Sequence, residues 1–447
     1  MTSRTKARLP IERILRPFQE FARLEASGGI VLLLCTLIAL AWANSPWAES
    51  YWHLWETEIT IHVGRFEFSR PLHFWINDGL MVIFFLLVGL EIKREFLVGE
   101  LSSSRKAALP VFAALGGMVA PALIYAAFNR GQATIRGWGI PMATDIAFSL
   151  GILALLGRRV PLGLKVFLAA FAIADDLGAV VVIALFYTGG ISWTYLLYGA
   201  GFLLALAVAN WSGVRSLLVY SLLGMGLWWS FLLSGVHPTV AGVLLALTIP
   251  ARTKIDAEEF LRQGRALLAE FEASSRDGRG ILTNEGQQSA LHALEEACEL
   301  VETPLQKMEE GLHSWVAFGI MPLFALANAG VTVRGENVVS ALQDPVTLGV
   351  LAGLVLGKQT GITLFSWLAV RTGLAALPAS VTWRHIYGVG WLGGIGFTMS
   401  LFIAHLAFGS SPELASAKAG ILVASVLSGL GGTVILRATR AEPAESP

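Results

Sequence analysis

Hydrophobic positions in this chain run in long blocks separated by short polar breaks, with little strand-like alternation. A helix that crosses a bilayer needs about 20 apolar residues. Twelve blocks fit that demand, at 28–44, 72–90, 107–128, 138–156, 165–187, 193–210, 216–232, 235–250, 312–330, 346–369, 386–407 and 419–437. They predict an all-α polytopic membrane protein with about 12 transmembrane helices. Two polar stretches depart from the pattern. In 58–69, EITIHVGRFEFS alternates apolar and polar residues around Gly64-Arg65, which predicts a β-hairpin with a two-residue turn. A hairpin that pairs with a second subunit through its free edge and one that only covers its loop fit the sequence equally.

The second polar stretch, 251–311, reads as a cytoplasmic helical insert. Asp256 and Glu259 are spaced as a helix cap before Phe260 and Leu261. Leu291, Leu294, Cys298, Val301, Leu305, Met308 and Leu312 then repeat at three- and four-residue steps, a narrow stripe expected to pack on the same hairpin. Pro304 interrupts it, and Thr303 with Gln306 is spaced to cap a new start. The chain divides accordingly into 1–250 with spans 1–8, the insert 251–311, 312–440 with spans 9–12, and a tail 441–447.

Composition agrees with the membrane reading. Apolar residues make up 55% and charged residues 14% of the 447, and mean hydropathy is +0.64; soluble domains are nearer a quarter charged. The 47 glycines suit helices packed closely in lipid. Formal charge is zero, which suggests no nucleic-acid partner. Cys35 and Cys298 have neither disulfide nor metal-ligand spacing. Lysine and arginine are about three times as frequent on one set of flanks, among them Lys93, Arg94, Arg105, Lys106, Arg158 and Arg159, as on the other, which holds Arg65, Arg70, Arg130, Arg136, Arg334 and Lys418. The positive-inside rule then puts both termini in the cytoplasm, with Arg4, Lys6, Arg8, Arg13, Arg16 and Arg23 on the inner side. Ala39-Leu40-Ala41 resembles a leader cleavage site, but the long segment ahead of it favours an uncleaved first helix.

Charges inside the apolar blocks are the candidate chemistry. Asp175 and Asp176 sit in KVFLAAFAIADDLGAVVVIALFYT, Asp145 in GIPMATDIAFSLG and Lys358 in GLVLGKQTGITLF. Ionisable groups are costly at membrane depth and by default mark a pathway. Asp176 and Lys358 lie about 16–18 Å from the outer ends of their spans at helical rise, near the midplane. A buried ammonium needs a carboxylate partner. The two neighbouring aspartates point about 100° apart, so one is free to meet Lys358 while the other faces a cavity. A static polar cluster that only holds helices together is the alternative. Pro141 beside Thr144 and Asp145 interrupts span 4, and Gly388, Gly390, Gly393, Gly394 and Gly396 crowd span 11. Two interrupted spans in corresponding halves indicate inverted repeats, spans 3–5 and 10–12, around a midplane site.

At these residues the chain resembles the NhaA family of bacterial sodium/proton antiporters. The likeness extends from LEASGGIVLLL to the last span and is carried by WINDGLMVIFFLLVGLEIKRE, GIPMATDIAFSLGILALLGRRVPLGLKVFLAAFAIADDLGA, SGVHPTVAG, PLFALANAGV, GKQTGITLF and GIGFTMSLFIA. That family is itself a known case of inverted repeats, so the repeat inference does not stand apart from the resemblance. The resemblance implies that Asp176 is the main carboxylate for Na+ or Li+ and for H+, and that Asp175 assists it and exchanges partners with Lys358. It implies that Thr144 and Asp145 sit where the broken helices cross, Asp145 offsetting helix N-termini and Lys358 offsetting C-termini. Glu91, Arg94, Glu95, Glu309 and His313 would belong to a pH-sensing region on the inner face. Glu310 stands where some relatives have histidine, and the insert before Glu309 is longer than the family's loop. His237, His385 and His405 read as interface or packing histidines.

The implied activity is electrogenic, pH-regulated exchange of internal Na+ or Li+ for external H+ in a bacterial inner membrane, with no cofactor; the hairpin leaves a homodimer through 58–69 open without establishing it. The chain contains no G-x-x-x-x-G-K-[ST] phosphate loop. Two other classes remain at this point. An intramembrane aspartyl protease would use Asp145 and Asp176 as a proton-sharing pair, although no G-x-G-D signature is present. A sodium-coupled symporter would need an organic-substrate pocket.

Overall fold

The computed structural model describes residues 27–64, 66–274, 284–332 and 343–439. The N-terminal basic residues through Arg23, Arg65, most of the link between the insert's helices, Arg334, Arg440 and the tail 441–447 lie outside the described residues.

Every one of the twelve apolar blocks coincides with helix. The first is α1 (Ser27–Ala43), which bends by 113° into α2 (Ala48–Glu56). The hairpin follows, β1 (Glu58–Val63) against β2 (Phe66–Pro71), with Val63 opposite Phe66. The turn expected at Gly64-Arg65 falls partly outside the described residues; Gly64 takes a left-handed φ of 62° that favours glycine. Next come α3 (Leu72–Val98) and α4 (Ser104–Phe128). Span 4 begins as a tight helical stretch, Ala133–Met142, and resumes as α5 (Ile146–Leu156). Then follow α6 (Leu162–Phe186), α7 (Trp193–Trp211), α8 (Leu217–Ser234) and α9 (Thr239–Thr248). At ten residues α9 covers only about 15 Å, half the apolar thickness, and it packs against α3 and α8. Among the described residues nine helices are long and apolar enough to cross a membrane, and the two bent pairs raise that to eleven.

The insert forms α10 (Ala257–Ser274) and α11 (Glu285–Val301), packed on each other. Its start is capped as expected, the Glu259 amide donating to Asp256 Oδ1 at 2.8 Å. The expected stripe is not its buried face. Leu291 and Cys298 are exposed while Gln287, Ala290 and Ala297 are buried, and the later stripe residues Leu305 and Met308 are buried against Leu90, Ala246 and Ile249 rather than within the hairpin. The Thr303–Gln306 capping box is present, with Pro304 in the first turn where its missing amide costs nothing. The helix it starts, α12 (Pro304–Asn328), runs straight into span 9, so the polar segment that carries Glu309 and His313 is continuous with the membrane helix.

The second half continues as α13 (Pro345–Arg371), α14 (Trp383–Gly393), α15 (Phe397–Phe408) and α16 (Glu413–Ala438), with α14 and α15 bent by 45° across a three-residue break. Spans 3 and 10, the leading members of the two repeats, make the tightest crossing. A Cβ on Gly116 of α4 would overlap the Gly361 carbonyl oxygen of α13, and one on Gly361 would overlap that of Gly116. Bare backbones in contact are how helices associate where lipid supplies no hydrophobic drive.

Candidate functional site

The interrupted spans cross at their breaks, and each satisfies the other. Residues 143–145 are extended, so the carbonyls and amides around them have no helical partners. The Asp145 amide donates to Ile395 O at 2.6 Å. Thr144 Oγ1 donates to Gly393 O and Ser149 Oγ to Leu392 O, both at 2.9 Å, closing the C-terminal end of α14. Ser400 Oγ returns the arrangement by donating to Ile140 O at 2.7 Å. A Cβ on Gly394 would strike the Leu354 carbonyl oxygen, which explains glycine at this break.

Asp145 sits between two helix N-termini. Its Oδ1 accepts from the Phe148 amide of α5 at 3.1 Å; its Oδ2 accepts from the Thr398 amide of α15 at 3.1 Å and from Thr398 Oγ1 at 2.5 Å. One carboxylate thus caps two short helices whose positive ends converge. Both its oxygens are committed, so it is not half of a proton-sharing pair with Asp176. Lys358 lies 0% exposed after a widened turn at Gly353–Gly357. Its Nζ donates to Asp175 Oδ2 at 2.7 Å and to Thr144 Oγ1 at 2.9 Å, and stands 5.6 Å from the Phe171 ring centre.

Asp176 is treated differently. Its Oδ1, like Asp175 Oδ1, is buried and meets no hydrogen-bond partner among the described residues, but whereas Lys358 pairs with Asp175, no lysine pairs with Asp176. It lines a cavity of about 420 Å³ that also touches Thr144, Asp145 and Thr398 at one end and Glu91, His313 and Ser314 at the other. The 100° offset between the adjacent aspartates therefore separates their surroundings: Asp175 meets the lysine and Asp176 meets the cavity.

At the far end of the cavity Arg94 Nη1 contacts Glu309 Oε1 at 2.5 Å, and Arg94 Nη2 stands 3.6 Å from Glu95 Oε1. Glu95 Oε2 also accepts from the Glu100 amide. Spans 2 and 9 are thus tied by an ion pair beside the cavity mouth. All ten residues singled out from the sequence fall in two groups joined by this cavity. Thr144, Asp145, Asp175, Asp176 and Lys358 form the deep group, and Glu91, Arg94, Glu95, Glu309 and His313 the rim group. Among the described residues no cluster of three or more His, Cys, Asp or Glu has geometry for a resident metal ion.

Three residues of the crossing, Thr398, Ser149 and Ser400, were not singled out beforehand. A hydroxyl just past a helix break in an apolar span is the signal that marks them, since the break strands backbone groups that only a neighbour can reach. A second group, on the opposite side of the crossing, was also missed. His73 Nε2 lies 3.0 Å from Asn328 Oδ1, Asn77 Nδ2 lies 3.2 Å from both His73 ring nitrogens, and Asn328 Nδ2 donates to Asn77 Oδ1 at 2.9 Å. The His405 ring stands edge-on to His73 at 4.7 Å. His237 Nε2 lies 3.3 Å from Asp78 Oδ1. His385, by contrast, serves a cap, its Nδ1 accepting from the Thr382 amide.

Crossed, interrupted helices around buried ionisable groups define a polytopic membrane protein built for a midplane site. Comparison with known proteins agrees. The family described as Na+/H+ antiporter 1 matches residues 19–436. The chain is 52% identical to the Na(+)/H(+) antiporter NhaA of Oleidesulfovibrio alaskensis, covering 96% of this chain and 95% of that one. It is 51% identical to the protein of the same name from Koribacter versatilis, over 97% and 94%. A solved structure of a sodium proton antiporter from Methanocaldococcus jannaschii shares the fold at 12% identity, with a TM-score of 0.50 over 95% of this chain and 99% of that one. The chain belongs to the Na+/H+ antiporter 1 family.

Proposed function

We propose that the protein exchanges internal Na+ or Li+ for external H+ at Asp176, in a bacterial inner membrane with both termini cytoplasmic. The observation that carries the reading is the contrast at the midplane. Asp175 is paired with Lys358, while Asp176 has no cationic partner at hydrogen-bond distance and lines the cavity. A dehydrating alkali cation wants several oxygens, and Asp176 with the hydroxyls of Thr144 and Thr398 lines one wall. Protonation removes the charge that holds the cation, so the two compete for one site. Asp175 assists by exchanging Lys358 for the cation during the cycle. If more protons enter than cations leave, each net charge gains about 2.3 kcal/mol per 100 mV. Glu91, Arg94, Glu95, Glu309 and His313 form the pH-sensing rim, because their charges lie at the mouth through which the cation enters. The hairpin's free edges support a homodimer. Deleting 58–71 then leaves monomers on size-exclusion chromatography; a dimer that survives the deletion rules this edge out.

The relatives' names support exchange over the protease and symporter alternatives. The test is a proteoliposome assay. Sodium added against an imposed proton gradient moves protons in the opposite direction in the parent, and Asp176→Asn abolishes this while the variant still assembles. Exchange that persists unchanged in Asp176→Asn rejects the assigned site.

A further inference from the structure

The cavity from the rim group ends at Thr398 and Met399. Along α15, Thr398, Phe402 and His405 are spaced i, i+4, i+7 and share one face, with His405 about 10 Å further along the axis. Phe402 is fully buried and its ring lies 5.5 Å from Phe85, 6.3 Å from Phe324 and 5.4 Å from His237. On that face Phe402 stands between Thr398 of the cavity wall and His405, packed among these rings. On the other side, Asn328 Oδ1 at 3.0 Å from Nε2 and Asn77 Nδ2 at 3.2 Å from both ring nitrogens hold His73. His405 is left free of that network, and its buried Nδ1 meets no polar partner among the described residues. The groups that face it come from every neighbouring element: His73 and Asp78 on α3, Lys418 on α16 and His237 ahead of α9. All of them flank the loops on the side opposite the Glu91–His313 rim.

We propose that His405, beside His73, is a second proton-binding site on the outer branch of the pathway, held apart from Asp176 by the Phe402 seal. It rests on the exchange reading and deepens it. A proton from external hydronium adds to His405 Nδ1, leaving water. When the seal opens, the same proton passes to the Asp176 carboxylate and His405 returns to neutral. Neighbouring Lys418 and His73 keep its residence short, and the Asp78–His237 pair supplies a compensating negative charge.

The experiment uses the full chain in right-side-out vesicles at fixed internal pH, with external pH varied. In His405→Gln, the rate of sodium efflux relative to the parent falls as external pH rises, by about threefold to tenfold once external pH passes the ordinary histidine range, and the internal-sodium KM keeps the parent's value. His73→Gln, read in the same assay, carries the same expectation and covers failure of His405→Gln to reach the membrane. Phe402→Ala opens a sodium-independent proton leak. A relative rate that stays constant across external pH in both histidine variants overturns the proposal, as does an equal rise in KM. A parent that moves no protons on sodium addition instead sinks the exchange reading itself, so the two failures are distinguishable.

Discussion

Asp145 and Asp176 are the same residue type at similar depth, and the fold gives them opposite surroundings. Asp145 accepts from two backbone amides and a hydroxyl, joining two half-helices that begin beside it. Asp176 has a buried oxygen without a partner and a cavity in front of it. A saturated carboxylate holds structure together; an unsaturated one is available to a cation or a proton. Intramembrane charge alone therefore does not identify a transport site. What separates Asp176 is that it lines a cavity and has neither the caps of Asp145 nor the lysine of Asp175.

The contrast is sharpest in the largest expected effect. Asp176→Asn abolishes sodium–proton exchange and leaves the melting temperature of the purified protein close to the parent's, because no hydrogen bond of the fold is lost. A large loss of stability in this variant would move Asp176 to the structural side. Lys358→Met comes next. It leaves Asp175 unpaired in a fully buried site, a change of the class that costs about 3–5 kcal/mol, read as a fall in thermal stability. Pairing it with Asp175→Asn recovers much of that loss; failure to recover it would show that Lys358 acts mainly through Thr144. Asp145→Ala removes two caps and a hydroxyl partner, for about 2–4 kcal/mol, and Asp145→Asn retains roughly half of that. Stability unchanged in both variants would break the comparison outright. The smallest effect belongs to the rim. Arg94 is 43% exposed on its side chain, so screening limits the stability change in Arg94→Gln to about 1 kcal/mol or less. Its readout is the pH profile of exchange, which moves toward alkaline pH because Glu309 loses the positive charge that favours its ionised form.

Much of this was legible in the sequence, for local reasons. Each apolar block became helix, since length and hydropathy are properties of a contiguous segment. The β1–β2 hairpin, the Asp256 cap and the Thr303–Gln306 box are likewise set within a few residues. Asp175, Asp176 and Lys358 stood out because charge in an apolar run is rare. The insert stripe held only in part, Leu305 and Met308 being buried against the membrane helices and Leu291 and Cys298 exposed, because a narrow apolar repeat does not say which partner each end will meet. α9 is shorter than its apolar block for a similar reason: the residues ahead of it form the turn that carries His237 and Pro238.

The outer histidine group was invisible for the opposite reason. His73 and Asn328 are 255 positions apart, and each alone looks like an ordinary interface residue. Only packing of α3, α12, α15 and α16 brings them together. The sequence by itself determined which segments are apolar enough to become helix, where spans 4 and 11 break and which of them carry charge, because those features follow from the chemistry of neighbouring residues. The tertiary structure decided which aspartate is saturated, which lines the cavity and which histidines meet, because a hydrogen bond or an aromatic contact at membrane depth depends on which other helix arrives there.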